Sequence, residues 1–168
     1  MDFKEIQQRL AEQKDFFASG NTRGLGFRLT QLKQLRASIK AHEAQLLEAL
    51  YADLHKSAFE AYVTELAIVY EEIDRHIRKL KRWDRWHVKH TPASNFAAMS
   101  YVTYQPYGHV LIVAPWNYPF QLLFLPLVGA ISAGNVISLK PSEYLTHTPK
   151  VMQKIIGDAF SPKYIALF

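Results

Sequence analysis

The chain has no cysteine anywhere in its 168 residues. That excludes a disulfide framework, a thiolate metal site and a cysteine nucleophile from these residues. It also has no Gly-x-Gly-x-x-Gly after its first apolar strand pattern, the turn through which ordinary dinucleotide folds bring backbone against a pyrophosphate. Internal repeats and low-complexity stretches are absent too. The start, Met1-Asp2-Phe3-Lys4-Glu5, is charged where a secretory leader needs an apolar core, so a cytoplasmic protein is expected. Formal charge is missing from every residue between Val110 and Leu139. That run is long enough to cross a bilayer, but its three prolines, two asparagines and one glutamine argue against a membrane span.

What is present is a globular composition, 49% hydrophobic and 21% charged, with a formal net charge of +5. The surplus is local. Between Ile73 and His90 seven cations (Arg75, Arg78, Lys79, Lys81, Arg82, Arg85 and Lys89) face two acids, Asp74 and Asp84, and supply all of it. Trp83 and Trp86 interleave this cluster, a pattern that can track phosphates and stack on bases. A solvated helix end explains it as well, and no nucleic-acid partner is expected. His87 and His90 stand three apart without a neighbouring carboxylate, too weak a set for a metal site.

Apolar residues return at three- and four-residue steps through the first half. Phe3, Ile6, Leu10, Phe16 and Phe17 predict a first helix, and Leu29 through Leu50 predict a second. Ser19-Gly20-Asn21-Thr22 separates them, with Thr22 placed to cap. A third helix is predicted from about Ser57 through Trp86, with Phe59, Tyr62, Leu66, Val69, Ile73, Ile77 and Leu80 on its buried face. After a loop at 91–95, Met99 to Tyr104 alternates as a strand. Val110 to Val113 reads as a strand buried on both faces. A helix interrupted at Pro126 and ended by Gly134 follows, then a second strand at Val136 to Leu139. Thr146 to Phe160 predicts another helix, and Tyr164 to Phe168 the start of a third strand. Strand, helix and strand at this spacing imply a parallel crossover. The fold class expected is α/β: N-terminal helices, then the first strands of a doubly wound, Rossmann-like parallel sheet, truncated at about its third strand. Three regions follow: 1–90 helical, 91–108 a loop and the strand of an oligomerisation hairpin, and 109–168 an incomplete nucleotide-binding domain.

Two ordered motifs sit at the strand ends: Pro115-Trp116-Asn117-Tyr118-Pro119-Phe120 and Lys140-Pro141-Ser142-Glu143. Ligands in open α/β sheets bind at the carboxyl ends of strands. An asparagine there offers a neutral N–H donor to a developing oxyanion, or else closes its own turn. Lys140 and Glu143 can hydrogen-bond ribose hydroxyls, and a carboxylate disfavours a 2′-phosphate, so NAD is expected at least as readily as NADP. The bland alternative is a solvated helix start capped by Ser142 or Thr146.

The stretch from Gln105 to Glu143 resembles the start of the coenzyme domain of aldehyde dehydrogenases, in particular the class with fatty and aromatic aldehyde enzymes. Leu50-Tyr51-Ala52-Asp53-Leu54 and Phe59-Glu60-Ala61-Tyr62 are similar to that class as well, so the likeness covers almost the whole chain. It implies NAD(P)-dependent oxidation of an aldehyde to an acid, usually in a homodimer. Asn117 would hold the hemithioacetal oxygen; Ala114, Pro115 and Trp116 would contact the cofactor with Lys140 and Glu143; and Tyr118 would line the aldehyde pocket. Trp116 and Tyr118 suit a core equally well. The family also lacks the glycine fingerprint noted above. Its cysteine nucleophile and glutamate base lie downstream of residue 168, so neither is assigned here. Glu60, Glu65, Glu71 and Glu72 are read as helix-face acids. This chain alone is expected to be inactive. The alternative is a non-catalytic remnant with at most weak nucleotide binding.

Overall fold

The computed structural model describes residues 3–168; Met1 and Asp2, part of the charged start, lie outside the described residues. The N-terminal region is helical: α1 (Phe3–Ala18), α2 (Leu25–Ala41), α3 (Glu43–Leu54), the single turn α4 (Ala58–Ala61), a π-helical turn (Tyr62–Leu66) and α5 (Ala67–Trp83). A small antiparallel pair, β1 (His87–Lys89) and β2 (Ser100–Val102), comes next. The rest alternates β3 (His109–Val113), α6 (Pro119–Ala133), β4 (Val136–Lys140), α7 (Thr148–Ala159) and β5 (Ile165–Leu167). These three strands form a parallel sheet of order β3-β4-β5.

The sheet has a dry face and a wet one, set by the two-residue alternation of each strand. Ile112, Ile137 and Leu139 are buried in one core with Phe120, Leu123 and Leu127 of α6 and Met152 and Ile155 of α7. Ser138 points the other way, donating to Gln13 of α1 at 2.9 Å, while the Gln13 amide donates to the Ile137 carbonyl at 2.8 Å. On that face Leu111 and Val113 remain 65% and 61% exposed. Val110 to Val113 is therefore not buried on both faces as its apolar run predicts; β4 is the strand that is.

Other departures have local causes. The predicted second helix is two helices, separated at His42, whose backbone leaves the helical region at φ −108° and ψ 10°. Thr22 caps nothing: it lies buried in a 3₁₀ turn, and Gly24 precedes α2 without a side-chain cap. Pro126 does not interrupt α6. It faces outward beside exposed Leu122, whose carbonyl can find water in place of the lost N–H. Gly134 does end α6, at φ 88°. The third helix stops at Trp83 rather than Trp86, because the next residues lead into β1, a three-residue exposed strand with no hydrophobic pattern to announce it. Phe59 and Tyr62 are exposed, not inward. The wide π turn takes up an extra residue, so the face carried by Leu66, Val69 and Ile73 is not continued by them.

Candidate functional site

Parallel pairing sets β3 and β4 side by side with Val113 opposite Lys140, and the Ala114 N–H donates to the Lys140 carbonyl at 3.1 Å. The two motifs therefore leave the sheet together at its carboxyl edge. Ala114 is buried in that edge; Pro115, Trp116, Asn117 and Tyr118 form an exposed turn, and Pro119 opens α6. Lys140 and Glu143 form an ion pair at 2.6 Å, and the Lys140 ammonium also donates to the Pro141 carbonyl. The hydrogen bond from Lys140 to Glu143 holds the Glu143 carboxyl below its ordinary value. Lys140 also lines an open groove of about 450 Å³ along the wet face of the sheet, with His109, Leu111 and Phe168.

Asn117 is held by its backbone, leaving the amide for something else. Its carbonyl accepts from the Lys56 ammonium at 2.9 Å; its side chain, exposed, has no hydrogen-bond partner among the described residues. The self-bonded turn asparagine is thus not what forms. Tyr118 is half spoken for, with the Lys56 ammonium 4.0 Å above its ring. Trp116 is exposed in this chain.

Two charged residues that organise this edge come from the helical region. Glu65 is fully buried and accepts from Lys56 at 2.6 Å, from the Phe120 N–H at 2.9 Å and from the Gln121 N–H at 3.3 Å. Those two N–H groups belong to the first turn of α6, whose N-cap residue, Tyr118, gives no side-chain cap. A helix start leaves such donors without intrahelical partners, and the carboxylate satisfies them while opposing the positive helix end. Glu65, read from the sequence as a helix-face acid, is fully buried. The signal was its position: Ala61, Val69 and Ile73 share its four-residue stripe, and an acid on a core stripe is costly unless paired. Asp53 does the same for α7. Its carboxylate accepts from the Thr146, His147 and Thr148 N–H groups and from the Thr148 hydroxyl, so neither Ser142 nor Thr146 is the cap.

The remaining sequence candidates fall elsewhere. His87 lies beside the Trp83 carbonyl and the Tyr104 ring, and no cluster of three or more potential metal ligands exists among the described residues. Asp74 and Asp84 bind Arg36 and Arg28, leaving the cations of α5's end largely exposed. No helix among the described residues is long and apolar enough to cross a membrane.

Residues 4–166 match the model of the aldehyde dehydrogenase family. The chain belongs to that family. Aldehyde dehydrogenase relatives include the 4,4'-diaponeurosporen-aldehyde dehydrogenase of Staphylococcus aureus, 44% identical over 160 residues that make up 95% of this chain and 35% of that protein. A dog enzyme described as aldehyde dehydrogenase, dimeric NADP-preferring, is 41% identical over 96% of this chain and 34% of its own length. Among solved structures, the substrate-bound state of Staphylococcus aureus AldH superposes with a TM-score of 0.96 at 42% identity, covering all of this chain and 36% of that one. A Streptococcus pyogenes succinic semialdehyde dehydrogenase shares the fold, with a TM-score of 0.86 at 18% identity. The chain thus spans about a third of the length of the aldehyde dehydrogenases it matches.

Proposed function

We propose that the full-length protein carrying this chain oxidises an aldehyde to a carboxylic acid with NAD or NADP, and that these residues supply its oxyanion donor and part of its cofactor site. The observation that supports this most is the turn at Asn117: backbone tied down by Lys56, amide free, at the carboxyl edge of a parallel sheet. When a nucleophile adds to an aldehyde, negative charge collects on oxygen, and a fixed amide donor there lowers the barrier by about 3 kcal/mol or more. Nothing in 168 cysteine-free residues can be the thiolate; in this reading it is brought by the other two-thirds of the enzyme.

The residues fit a dinucleotide. Lys140 and Glu143 are exposed, adjacent and already hydrogen-bonded to one another, a donor and an acceptor set to hold a diol. Ala114, Pro115 and Trp116 lie beside them at the β3 end. The bound nicotinamide would supply the hydride acceptor. Tyr118, on the same turn as Asn117, would border the aldehyde. Homodimerisation is proposed through the β1-β2 pair, where Trp86 stacks on Tyr101 at 4.4 Å and Val88 and Met99 are exposed.

The test is aldehyde-dependent reduction of NAD or NADP by the protein isolated from its own cells. Turnover by a polypeptide well above 19.4 kDa is expected. Nucleotide binding without turnover by a 19.4 kDa species would favour the non-catalytic remnant instead.

A further inference from the structure

We propose that Lys56 and Glu65 are positioning residues for the reaction, fixing the Asn117 turn so that its amide meets the substrate oxygen. The inference rests on the oxyanion role just assigned to Asn117. The Lys56 ammonium spends its contacts in three directions: on Glu65 at 2.6 Å, on the Asn117 carbonyl at 2.9 Å and on the face of Tyr118 at 4.0 Å. Glu65 spends its second oxygen on the first turn of α6, immediately after Tyr118. One ion pair therefore grips both sides of the turn, at residue 117 and at residues 120 and 121.

The surrounding structure is built for that grip. Lys56 is nearly buried and Glu65 completely so, and a buried pair of this kind costs desolvation that hydrophobic packing would avoid. Glu65 lies in the π turn, a distortion of the kind that concentrates at functional sites. Oxyanion stabilisation depends on donors that do not reorganise during the reaction. An exposed four-residue turn with no internal bond to the Asn117 amide needs an outside anchor to meet that condition, and Lys56 is the anchor present.

The test is a double-mutant cycle in the full-length enzyme, with Asn117→Ala as one arm; alanine keeps the backbone carbonyl that Lys56 holds. The other arm uses two variants. Lys56→Arg keeps the buried charge pair but cannot serve three partners in the same geometry, and Lys56→Met with Glu65→Gln removes both charges together. A folded variant is expected to lower kcat about tenfold or more with Asn117 present, to leave the cofactor Kd and aldehyde KM within about twofold, and to change kcat less than about twofold in the Asn117→Ala background. A kcat within twofold of the parent would overturn the proposal. So would an equal loss in both backgrounds, or loss of the native fold in both variants, which would make the pair a stability element only. If Asn117→Ala itself leaves kcat intact, the oxyanion reading fails first and this one falls with it, an outcome distinct from the others.

Discussion

Asp53→Ala should loosen α7 at its start. In the native chain the Asp53 carboxylate accepts the N–H groups of Thr146 at 3.2 Å, His147 at 3.0 Å and Thr148 at 2.7 Å, with the Thr148 hydroxyl also at 2.7 Å. A single capping side chain is worth about 0.5–2 kcal/mol, and bonds to a charged acceptor lie at the strong end. Asp53 is partly exposed, and solvent screening reduces the sum, so a loss of about 2 kcal/mol is expected. That corresponds to roughly thirtyfold in a local opening equilibrium. Burial pushes the Asp53 carboxyl up, but the hydrogen bonds from Thr148, His147 and Thr146 outweigh it, and the net shift is below the ordinary value of 3.8. A depressed pKa means the stabilisation is complete above the unfolded value and is lost as pH falls through the lower folded one. The gap between parent and Asp53→Asn should then hold steady from neutral pH down to about 5 and close below about 3.9. Amide exchange of residues 146–150, read by mass spectrometry across that range, measures it. Unchanged protection in Asp53→Ala, or a gap indifferent to pH, would refute the reasoning.

Lys140→Ala should weaken NAD binding by about tenfold with a smaller change in kcat, since one charged hydrogen-bonding group is removed from the proposed ribose site; equilibrium titration checks it, and an unchanged Kd counts against that site. Glu143→Gln removes the repulsion a carboxylate exerts on a 2′-phosphate. The ratio of NADP to NAD affinity should therefore rise severalfold, and a ratio that stays put or falls places the ribose elsewhere.

Legibility in the sequence followed the range of the interactions. The strands and helices of the sheet were readable because Val110 to Leu139 obeys local rules: an apolar run, a first-turn proline and a helix-ending glycine. The motif residues were readable for the same reason, and the structure brings Asn117 and Lys140 to one sheet edge. Glu65 and Asp53 were not readable as caps, because each serves a helix 55 to 95 positions away, whereas capping signals are sought within a few residues of the helix start. The π turn escaped as well, since it changes the buried face without altering the spacing of Phe59, Tyr62 and Leu66. Leu111 and Val113 misled in the opposite direction: their apolar character is real, but both stay exposed on the face of the sheet where α1 packs.

Steady-state kinetics of Asn117→Ala in the full-length enzyme bears most directly on the central claim. A kcat lower by about a hundredfold or more is expected, with cofactor Kd unchanged, because the amide acts only where charge develops on oxygen. A kcat close to that of the parent, or a loss confined to cofactor affinity, would contradict it.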